Sequence, residues 1–257
     1  MTDFKDKTVF ITGASSGIGE ACAHRFAREG AKMLLCARRK KRLEAVGSEL
    51  KNKYGSETFT FELDVRHREQ TSTMLDALPE TWKKIDVLVN NAGLARGLSK
   101  LHEGLIDDWE EMIDTNIKGL LYISRKVIPW MVRQGRGDII NIGSIAGHEV
   151  YPNGNVYCAT KYAVDALTRG MRIDLLGTPL RVATVDPGMV NTEFSQVRFH
   201  GNKERADDVY DGLKPLSGED IADAVFYCAS RPAHVQIAEI IIFPTAQRSA
   251  VMAHREK

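Results

Sequence analysis

The sequence is poor in cysteine, and the few cysteines present are far apart. The chain of 257 residues has four of them, Cys22, Cys36, Cys158 and Cys228, with no CxxC pair and no zinc-finger spacing. This spacing excludes a disulfide-stapled secreted scaffold and a cysteine-based metal centre. We therefore expect buried, reduced thiols in a cytoplasmic protein, and we expect no metal site.

Long apolar runs and an excess of charge of either sign are also absent. No stretch approaches the roughly 20 apolar residues of a membrane span, and 35 basic residues nearly balance 34 acidic ones, for a net charge of +1. This balance excludes a protein-wide field that would attract nucleic acid or an anionic membrane. The start, MTDFKDKTVFITG, has a short apolar run that leads into a glycine-rich loop, which is not the pattern of a signal peptide.

What is present is a repeated pattern of strand and helix, without a linker or a low-complexity tract. Short β-rich runs predict strands at 8–12, 32–36, 58–63, 85–89, 137–142, 181–185 and 237–243, and helical periodicity predicts helices at 22–30, 43–53, 107–133, 155–176 and 220–230. Pro129 should bend the end of the helix at 107–133. The pattern predicts an α/β fold, a doubly wound parallel sheet with helices on both faces, in one domain over residues 1–257.

A glycine-rich loop follows the first predicted strand. Its residues are Gly13-Ala14-Ser15-Ser16-Gly17-Ile18-Gly19, and a helical pattern comes next. Glycines would let the backbone approach a pyrophosphate, and the helix N-terminus would offer free N–H groups. The spacing is G-x-x-x-G-x-G, and the alternative to a phosphate-binding loop is a plain strand-to-helix turn.

Arginines stand at the end of the second predicted strand. In a dinucleotide fold an acidic residue there would bind the ribose 2′-hydroxyl of NAD, but here Ala37 is followed by Arg38 and Arg39. Without a carboxylate to repel it, a 2′-phosphate could be bound by the two guanidiniums. The cofactor this indicates is NADP. The basic residues at 40–42 are expected to be the solvated start of a helix.

Polar or small residues follow other predicted strands as well. They are Asp64-Val65, Asn90-Asn91-Ala92-Gly93, Ser144 and Pro187-Gly188. Asp64 could accept a hydrogen bond from an adenine amino group or cap the next helix, and Asn90 could tie neighbouring strands together. Ligands of parallel sheets bind outside the carboxyl ends of the strands, so all these residues should meet at one edge of the sheet.

Tyr157 and Lys161 lie four positions apart in the helix predicted at 155–176. One helical turn places their side chains on the same face. A nearby ammonium would favour tyrosinate, which normally forms near pH ~10, and would make proton exchange feasible closer to neutral pH. A Tyr-x-x-x-Lys pair alone is weak, because two solvated side chains would give the same pattern. Its place beside the predicted sheet edge, with Ser144, favours a catalytic pair.

Together these motifs resemble the short-chain dehydrogenase/reductase family over nearly the full length, which implies a seven-stranded Rossmann fold. The matching elements are Thr12 with the glycine loop, Asp64, Asn90-Asn91-Ala92-Gly93, Asn116, Ser144, Tyr157-x-x-x-Lys161 and Pro187-Gly188. The resemblance implies that Tyr157 exchanges a proton with the substrate oxygen and that Ser144 hydrogen-bonds the same oxygen. Lys161 would hold the nicotinamide ribose and keep the Tyr157 pKa low, and Asn116 would hold a water that links Lys161 to solvent.

The implied cofactor is NADP, which exchanges the hydride. Its binding residues are then Gly13, Ser15, Ser16, Gly17, Ile18, Gly19, Arg38, Arg39, Asp64, Val65, Asn91, Ala92, Gly93, Tyr157, Lys161, Pro187, Gly188, Val190 and Thr192. Thr192 would contact the nicotinamide carboxamide. The family also implies a homotetramer, or a dimer, built from the helices at 107–133 and 155–176.

Three segments resemble a narrower branch, the NADP-dependent 3-hydroxy acid dehydrogenases, which includes serine and L-allo-threonine dehydrogenases. The segments are residues 141–147, 151–157 and 192–199. The implied reaction interconverts serine, L-allo-threonine or 3-hydroxypropanoate with its 3-oxo acid or semialdehyde. The alternatives are an NADPH-dependent reductase of bulkier ketones or 3-oxoacyl chains, and a non-catalytic NADPH sensor.

The long polar segment 189–217 should cover the substrate, because a loop of this length in a compact domain is usually functional. Within it, Arg198 could bind the carboxylate of a 3-hydroxy acid through two donors, or it could be an exposed loop residue. His148 and Tyr151 could line the pocket and have no predicted chemistry. Residues 245–257 should form a C-terminal tail.

Overall fold

Seven parallel strands form one sheet at the centre of the fold. The computed structural model describes residues 4–256. The strands are β1 (Thr8–Thr12), β2 (Lys32–Ala37), β3 (Thr58–Glu62), β4 (Ile85–Asn90), β5 (Gly137–Ile142), β6 (Leu180–Pro187) and β7 (Glu239–Ile242). Their order is β3-β2-β1-β4-β5-β6-β7, which confirms the predicted doubly wound sheet. Met1 to Asp3 of the predicted domain and Lys257 of the predicted tail lie outside the described residues.

Two strands, β6 and β7, differ most from the sequence-based bounds. β7 is shorter than the predicted 237–243, and β6 continues through Asp186 to Pro187, because Asp186 pairs with Ile241 and Pro187 with Ile242 of β7. The extension matters for the site, since it brings Asp186 to the carboxyl edge of the sheet as part of a strand.

Helices lie on both faces of the sheet, as predicted. Their bounds are α1 (Gly17–Ala27), α2 (Lys40–Tyr54), α3 (Arg68–Asp76), α4 (Ile106–Ile113), α5 (Leu120–Gln134), α6 (Asn155–Asp174), α7 (Phe194–Arg198), α8 (Lys203–Asp208) and α9 (Gly218–Ala229). A capping box starts α9, in which Ser217 and Asp220 each accept a hydrogen bond from the other's backbone N–H. Across residues 4–256, no helix combines the length and the apolar character needed to cross a membrane.

Alternating side chains of the strands divide the core into two layers. In β1, Val9 and Ile11 pack with residues of α1, α2 and α9, whereas Phe10 packs with residues of α3 and α5 on the opposite face. This alternation follows from the two-residue period of a strand, and it makes the central strands apolar on both sides. Each fully buried large side chain contributes roughly 1.5–3 kcal/mol to folding, so the two layers hold the strand ends at fixed positions.

The helix predicted at 107–133 is interrupted by a π-helical turn. Asp114–Gly119 is π-helical and lies between α4 and α5, and α5 continues past Pro129 to Gln134. The α-helical hydrogen-bond pattern is therefore broken at the turn that contains Asn116, and the bend at Pro129 stays a prediction. Asn116 explains the break: Oδ1 accepts from the Leu94 N–H at 2.8 Å, and Nδ2 donates to Thr160 Oγ1 at 3.0 Å. The turn brings this amide into contact with two other segments, and such turns are frequent at functional sites.

The segment 189–217 and the tail are more ordered than the sequence pattern indicated. The segment contains the short helices α7 and α8. The tail folds back on it, because Gln247 Oε1 accepts from the Met189 N–H at 2.8 Å and the Glu256 N–H donates to the Gly212 carbonyl at 2.7 Å. Both pieces therefore form one wall above the sheet edge.

Candidate active site

The glycine-rich loop makes a sharp turn between β1 and α1. Gly13 and Gly17 have φ angles of +67° and +58°, where a residue with a Cβ would be strained. The side chain of Ser16 caps no backbone N–H at the start of α1, so it leaves the first-turn donors to an anion. Gly19 has another task, since a Cβ there would lie 2.5 Å from the Gly13 carbonyl oxygen. This glycine lets the helix approach the loop.

A cleft of about 630 Å³ opens beside this loop. It is lined by nearly all the residues that the sequence predicted to contact cofactor or substrate. These are Gly13, Ser15, Ser16, Gly17, Ile18, Arg38, Arg39, Asp64, Val65, Asn91, Ala92, Gly93, Ser144, Tyr157, Lys161, Pro187, Gly188, Val190, Thr192 and Arg198. The exceptions are Gly19 and Asn116, which are both buried behind the cleft wall. The cofactor contact of Gly19 and the catalytic role of Asn116 stay predictions.

Basic side chains at the end of β2 form one corner of the cleft. Arg38 donates to Glu111 Oε1 at 3.3 Å, and Arg39 donates from Nη1 to Glu193 Oε2 at 2.6 Å. Arg42 donates to the other oxygen of Glu193 at 2.5 Å, while its side chain stays 54% exposed at the start of α2, as predicted for residues 40–42. Glu193 comes from the segment after β6. Its ion pairs therefore join the two sides of the cleft.

Asp64 lies past β3 and does not cap the next helix. Its Oδ2 accepts from Arg66 Nη2 at 2.6 Å, whereas α3 begins after His67 without a side-chain cap. The predicted helix cap is wrong, and the adenine contact stays a prediction. Asn90 does tie strands together, because its Nδ2 donates to Asn141 Oδ1 of β5 at 2.8 Å.

Ser144, Tyr157 and Lys161 converge on the floor of the cleft. Ser144 follows β5, and its N–H donates to Asp186 Oδ1 at 3.1 Å. Tyr157 lies in the first turn of α6 and is 8% exposed, and Ser144 lowers its pKa against the larger effect of burial. Lys161 donates from Nζ to the Ile142 carbonyl at 2.8 Å. Its Nζ lies 5.9 Å from the Tyr157 ring centroid, so the two side chains share one face of α6 as predicted.

The pKa values of Tyr157 and Lys161 are shifted in the directions that burial favours. Burial raises the pKa of Tyr157 above its ordinary value and Tyr151 adds to this, while the Arg198 guanidinium opposes it. Burial also lowers the pKa of Lys161 to about 8, against the attraction of Asp186. Desolvation therefore dominates both groups in the protein alone, and the lowering of the Tyr157 pKa by Lys161 in the cofactor-bound enzyme stays a prediction.

The amide of Asn116 is occupied by protein partners. Besides its bonds to the Leu94 N–H and to Thr160, its Nδ2 donates to the Leu94 carbonyl at 2.8 Å. Asn116 thus anchors the loop after β4 to α6, the helix that carries Tyr157 and Lys161. A water between Asn116 and Lys161 stays a prediction.

Arg198 ends α7 and points into the cleft beside Tyr157. Its Nη2 donates to the Tyr151 hydroxyl at 2.7 Å, and its guanidinium carbon lies 5.0 Å from the ring centroid of Tyr157 and 5.2 Å from that of Phe194. Its Nε is buried and has no hydrogen-bond partner among residues 4–256. The exposed-loop alternative for Arg198 is therefore wrong, and the side chain lines the cleft.

Several residues of the cleft had no signal in the sequence. Gln247, Ala250 and Arg255 line it, although they belong to a polar tail without periodicity. Glu193 stands next to Thr192, yet its ion pairs depend on arginines far away in the chain. Contacts of this kind depend on the tertiary fold, and no local sequence pattern predicts them.

Known proteins resemble this chain over nearly its whole length. The family described as short chain dehydrogenase matches residues 7–203. An NADP-dependent 3-hydroxy acid dehydrogenase of Salmonella typhi is 47% identical over 249 residues, which cover 96% of this chain and 99% of that protein. One from Schizosaccharomyces pombe is 42% identical over 258 residues, covering 100% of both. The solved closed form of serine dehydrogenase complexed with NADP+ has 43% identity and a TM-score of 0.90, and the match covers 97% of this chain and 100% of that one.

Proposed function

Because the chain belongs to the short-chain dehydrogenase family, we propose that it is an NADP-dependent oxidoreductase that interconverts a small 3-hydroxy acid and its 3-oxo acid or semialdehyde. The substrates we propose are serine, L-allo-threonine and 3-hydroxypropanoate. The relatives described above support this reaction class. Their similarity spans the catalytic residues and the segment that covers the cleft.

The residues of the cleft suit a phosphorylated dinucleotide. The glycine turn admits a pyrophosphate because Gly13 and Gly17 have positive φ angles. Arg38 and Arg39 are 46% and 42% exposed and lie where a 2′-phosphate would bind. Pro187 and Thr192 line the opposite wall, where the nicotinamide would bind. When bound, this cofactor supplies or accepts the hydride.

The side chains on the cleft floor can handle the proton. In reduction, the Tyr157 hydroxyl would donate its proton to the carbonyl oxygen, and its raised pKa keeps it protonated near neutral pH. In oxidation it would take the hydroxyl proton, which the Arg198 guanidinium favours. Ser144 would hydrogen-bond the same oxygen and stabilise developing negative charge. Lys161 would bind the nicotinamide ribose, and Asn116 would support proton exchange by holding this part of α6 in place.

The observation that supports this choice of substrate is the position of the Arg198 guanidinium in the cleft beside Tyr157. Arg198 lines the cleft, Tyr151 accepts a hydrogen bond from its Nη2, and its guanidinium carbon lies 5.0 Å from the ring centroid of Tyr157. A guanidinium in this position can donate charge-assisted hydrogen bonds to an anionic ligand. The carboxylate of a 3-hydroxy acid, which is separated by one carbon from the carbon that reacts at Tyr157, fits this arrangement.

We also propose a homotetramer, with a dimer as the alternative. Apolar side chains are exposed on the helices that the family resemblance implicates, among them Leu121 and Val132 of α5 and Tyr162 and Ile173 of α6. Exposed apolar groups of this kind mark interaction surfaces. Light scattering of the purified chain would give its mass directly.

The four cysteines support a cytoplasmic protein. All are free and buried, and burial raises the pKa of Cys22 to about 12. Such thiols behave as small apolar residues and need no oxidising compartment.

A substrate panel tests the proposed reaction. The purified chain would be given NADPH with small 3-oxo acids and semialdehydes, and separately with 3-oxoacyl thioesters and bulky ketones. We expect turnover of the small acids. Turnover of thioesters alone would favour a broader carbonyl reductase, and NADPH binding without any turnover would favour a sensor.

A further inference from the structure

Three ligand-type side chains meet behind Ser144, outside the residues that line the cleft. His148 follows the short turn after Ser144, Asp186 lies near the end of β6, and Glu239 begins β7. Their side chains are 18%, 2% and 28% exposed. The cluster is therefore largely buried and still reachable from solvent past His148 and Glu239. These residues are far apart in the chain, so the sequence predicted no metal site.

Their spacing matches the ligands of a tetrahedral cation. His148 Nε2 lies 3.3 Å from Asp186 Oδ2 and 3.3 Å from Glu239 Oε1, and the three ligand atoms all lie within 4.8 Å of one another. Bonds of about 2.0–2.1 Å from nitrogen and oxygen to Zn²⁺ in tetrahedral geometry would separate two ligands by roughly 3.3 Å.

The atoms that face each other contact each other as ion pairs, without a well-aligned hydrogen bond. His148 Nε2 and Asp186 Oδ2 are both buried and have no hydrogen-bond partner within residues 4–256. Buried polar atoms are rarely left in this state. Asp186 Oδ1, in contrast, accepts from the Thr184 hydroxyl at 2.8 Å and from the Ser144 N–H at 3.1 Å. These two hydrogen bonds hold Oδ1 of Asp186, and Oδ2 faces the imidazole of His148.

The local charge also suits a divalent ion. A neutral imidazole and two carboxylates offer a charge of −2 in a partly desolvated place. Two cations are near: Lys161 attracts Asp186, and Arg169 Nη2 approaches the other oxygen of Glu239 at 3.7 Å while the Arg169 side chain is 56% exposed. Arg169 also pairs with Asp165 at 2.9 Å, so Glu239 Oε1 stays directed at His148.

We propose that His148, Asp186 and Glu239 bind one divalent transition-metal ion of the Zn²⁺ type, with water at the fourth position. The ion would join the turn after Ser144 to β6 and to the edge strand β7. Because Asp186 also accepts from the Ser144 N–H, the ion would help to position Ser144. It would not touch the substrate.

Metal titration of the full chain tests this site. Protein stripped with a chelator would be titrated with ZnCl2 by calorimetry, and the stoichiometry checked by elemental analysis. We expect one Zn²⁺ per chain. His148→Asn and Glu239→Gln should each weaken binding at least about tenfold, since even partners outside the ligand shell contribute 10–100-fold to metal affinity.

The matched control is His102→Asn, which removes an exposed histidine 3.4 Å from Glu103 and should leave Zn²⁺ binding unchanged. Retained NADPH binding would show that each variant is folded. If one of His148→Asn and Glu239→Gln fails to fold, the other still tests whether this cluster binds Zn²⁺. Cobalt substitution adds a second readout, because a tetrahedral site gives strong visible bands that His148→Asn should abolish. Absence of binding, binding that neither ligand variant weakens, or a cobalt spectrum with thiolate charge-transfer bands would each overturn the proposal.

Discussion

The guanidinium of Arg198 donates a hydrogen bond of 2.7 Å from Nη2 to the hydroxyl of Tyr151. The bond joins α7, above the cleft, to Tyr151 in the segment that precedes α6. Tyr157 lies in α6 itself. The bond holds the guanidinium beside Tyr157, with the guanidinium carbon 5.0 Å from the ring centroid of that tyrosine. Under the proposed function, substrate recognition and proton transfer would therefore depend on the same cation.

Replacing Arg198 by alanine should raise the KM for small 3-hydroxy acids by about 10- to 100-fold, because a charge-assisted hydrogen bond contributes roughly 1.5–3 kcal/mol. Steady-state kinetics would measure it, with an uncharged ketone as a second substrate that should change far less. Arg205→Ala is the matched control, since Arg205 stacks over Phe199 at 4.5 Å. An unchanged KM for the acids would contradict the proposed carboxylate contact.

Tyr157→Phe should lower kcat by about 10²- to 10⁴-fold, the usual contribution of a general acid or base. Ser144→Ala should cost about 10²- to 10³-fold, as for loss of one oxyanion donor. NADPH binding, followed by fluorescence, should persist in both variants. Tyr162→Phe is the control on the same helix, because its hydroxyl donates to the His148 carbonyl and Tyr162 is not among the residues that line the cleft. Activity of Tyr157→Phe near the wild-type level would exclude Tyr157 as the proton donor.

The wild-type enzyme should prefer NADP to NAD in kcat/KM, and Arg38→Asp should move this preference toward NAD by about 10- to 100-fold. The reason is the loss of a cation for the 2′-phosphate together with a new repulsive carboxylate. Lys41→Asp makes the same charge change at an exposed position of α2 and should alter the ratio little. Comparable kcat/KM for the two cofactors in the wild type would refute the assignment.

Lys161→Met should change how stability depends on pH. The folded state lowers the pKa of Lys161 from 10.5 to about 8, so between these values the unfolded chain binds more protons and wild-type stability rises with pH. Below pH 8 the buried charge costs on the order of 3 kcal/mol. Lys161→Met should therefore have a larger free energy of unfolding than the wild type below pH 8, and this difference should shrink as pH rises from 8 to 10.5.

Denaturant unfolding at a fixed protein concentration and in the presence of a chelator would measure this difference. Comparing the two proteins at each pH cancels the titration of all other groups. A difference that stays constant over this range would show that Lys161 is not desolvated as the structure indicates.

Features that depend on local chemistry were predictable from the sequence. The glycine turn was predictable because Gly13 and Gly17 have positive φ angles, which favour glycine. The pairing of Tyr157 with Lys161 follows from helical spacing. The strands could be placed because those buried on both faces form apolar runs. Because the strands are parallel, their carboxyl ends must lie at the same edge of the sheet.

Features that depend on distant contacts were not predictable. The π-helical turn at Asn116 exists because its amide reaches Leu94 and Thr160, and neither contact leaves a local pattern. The raised pKa of Tyr157 is a consequence of burial, which spacing does not reveal. Glu193 and Gln247 enter the site through the tertiary fold, and so does the cluster at His148.

The most direct test of the central claim is the rate of NADP reduction by the wild-type enzyme with 3-hydroxypropanoate and with its uncharged amide. The two compounds share the reacting hydroxyl and differ in the carboxylate that Arg198 is proposed to bind. We predict turnover of the acid with a kcat/KM at least about tenfold above that of the amide, as expected for a charge-assisted contact. Equal values for the two compounds, or no oxidation of any small 3-hydroxy acid, would contradict the account.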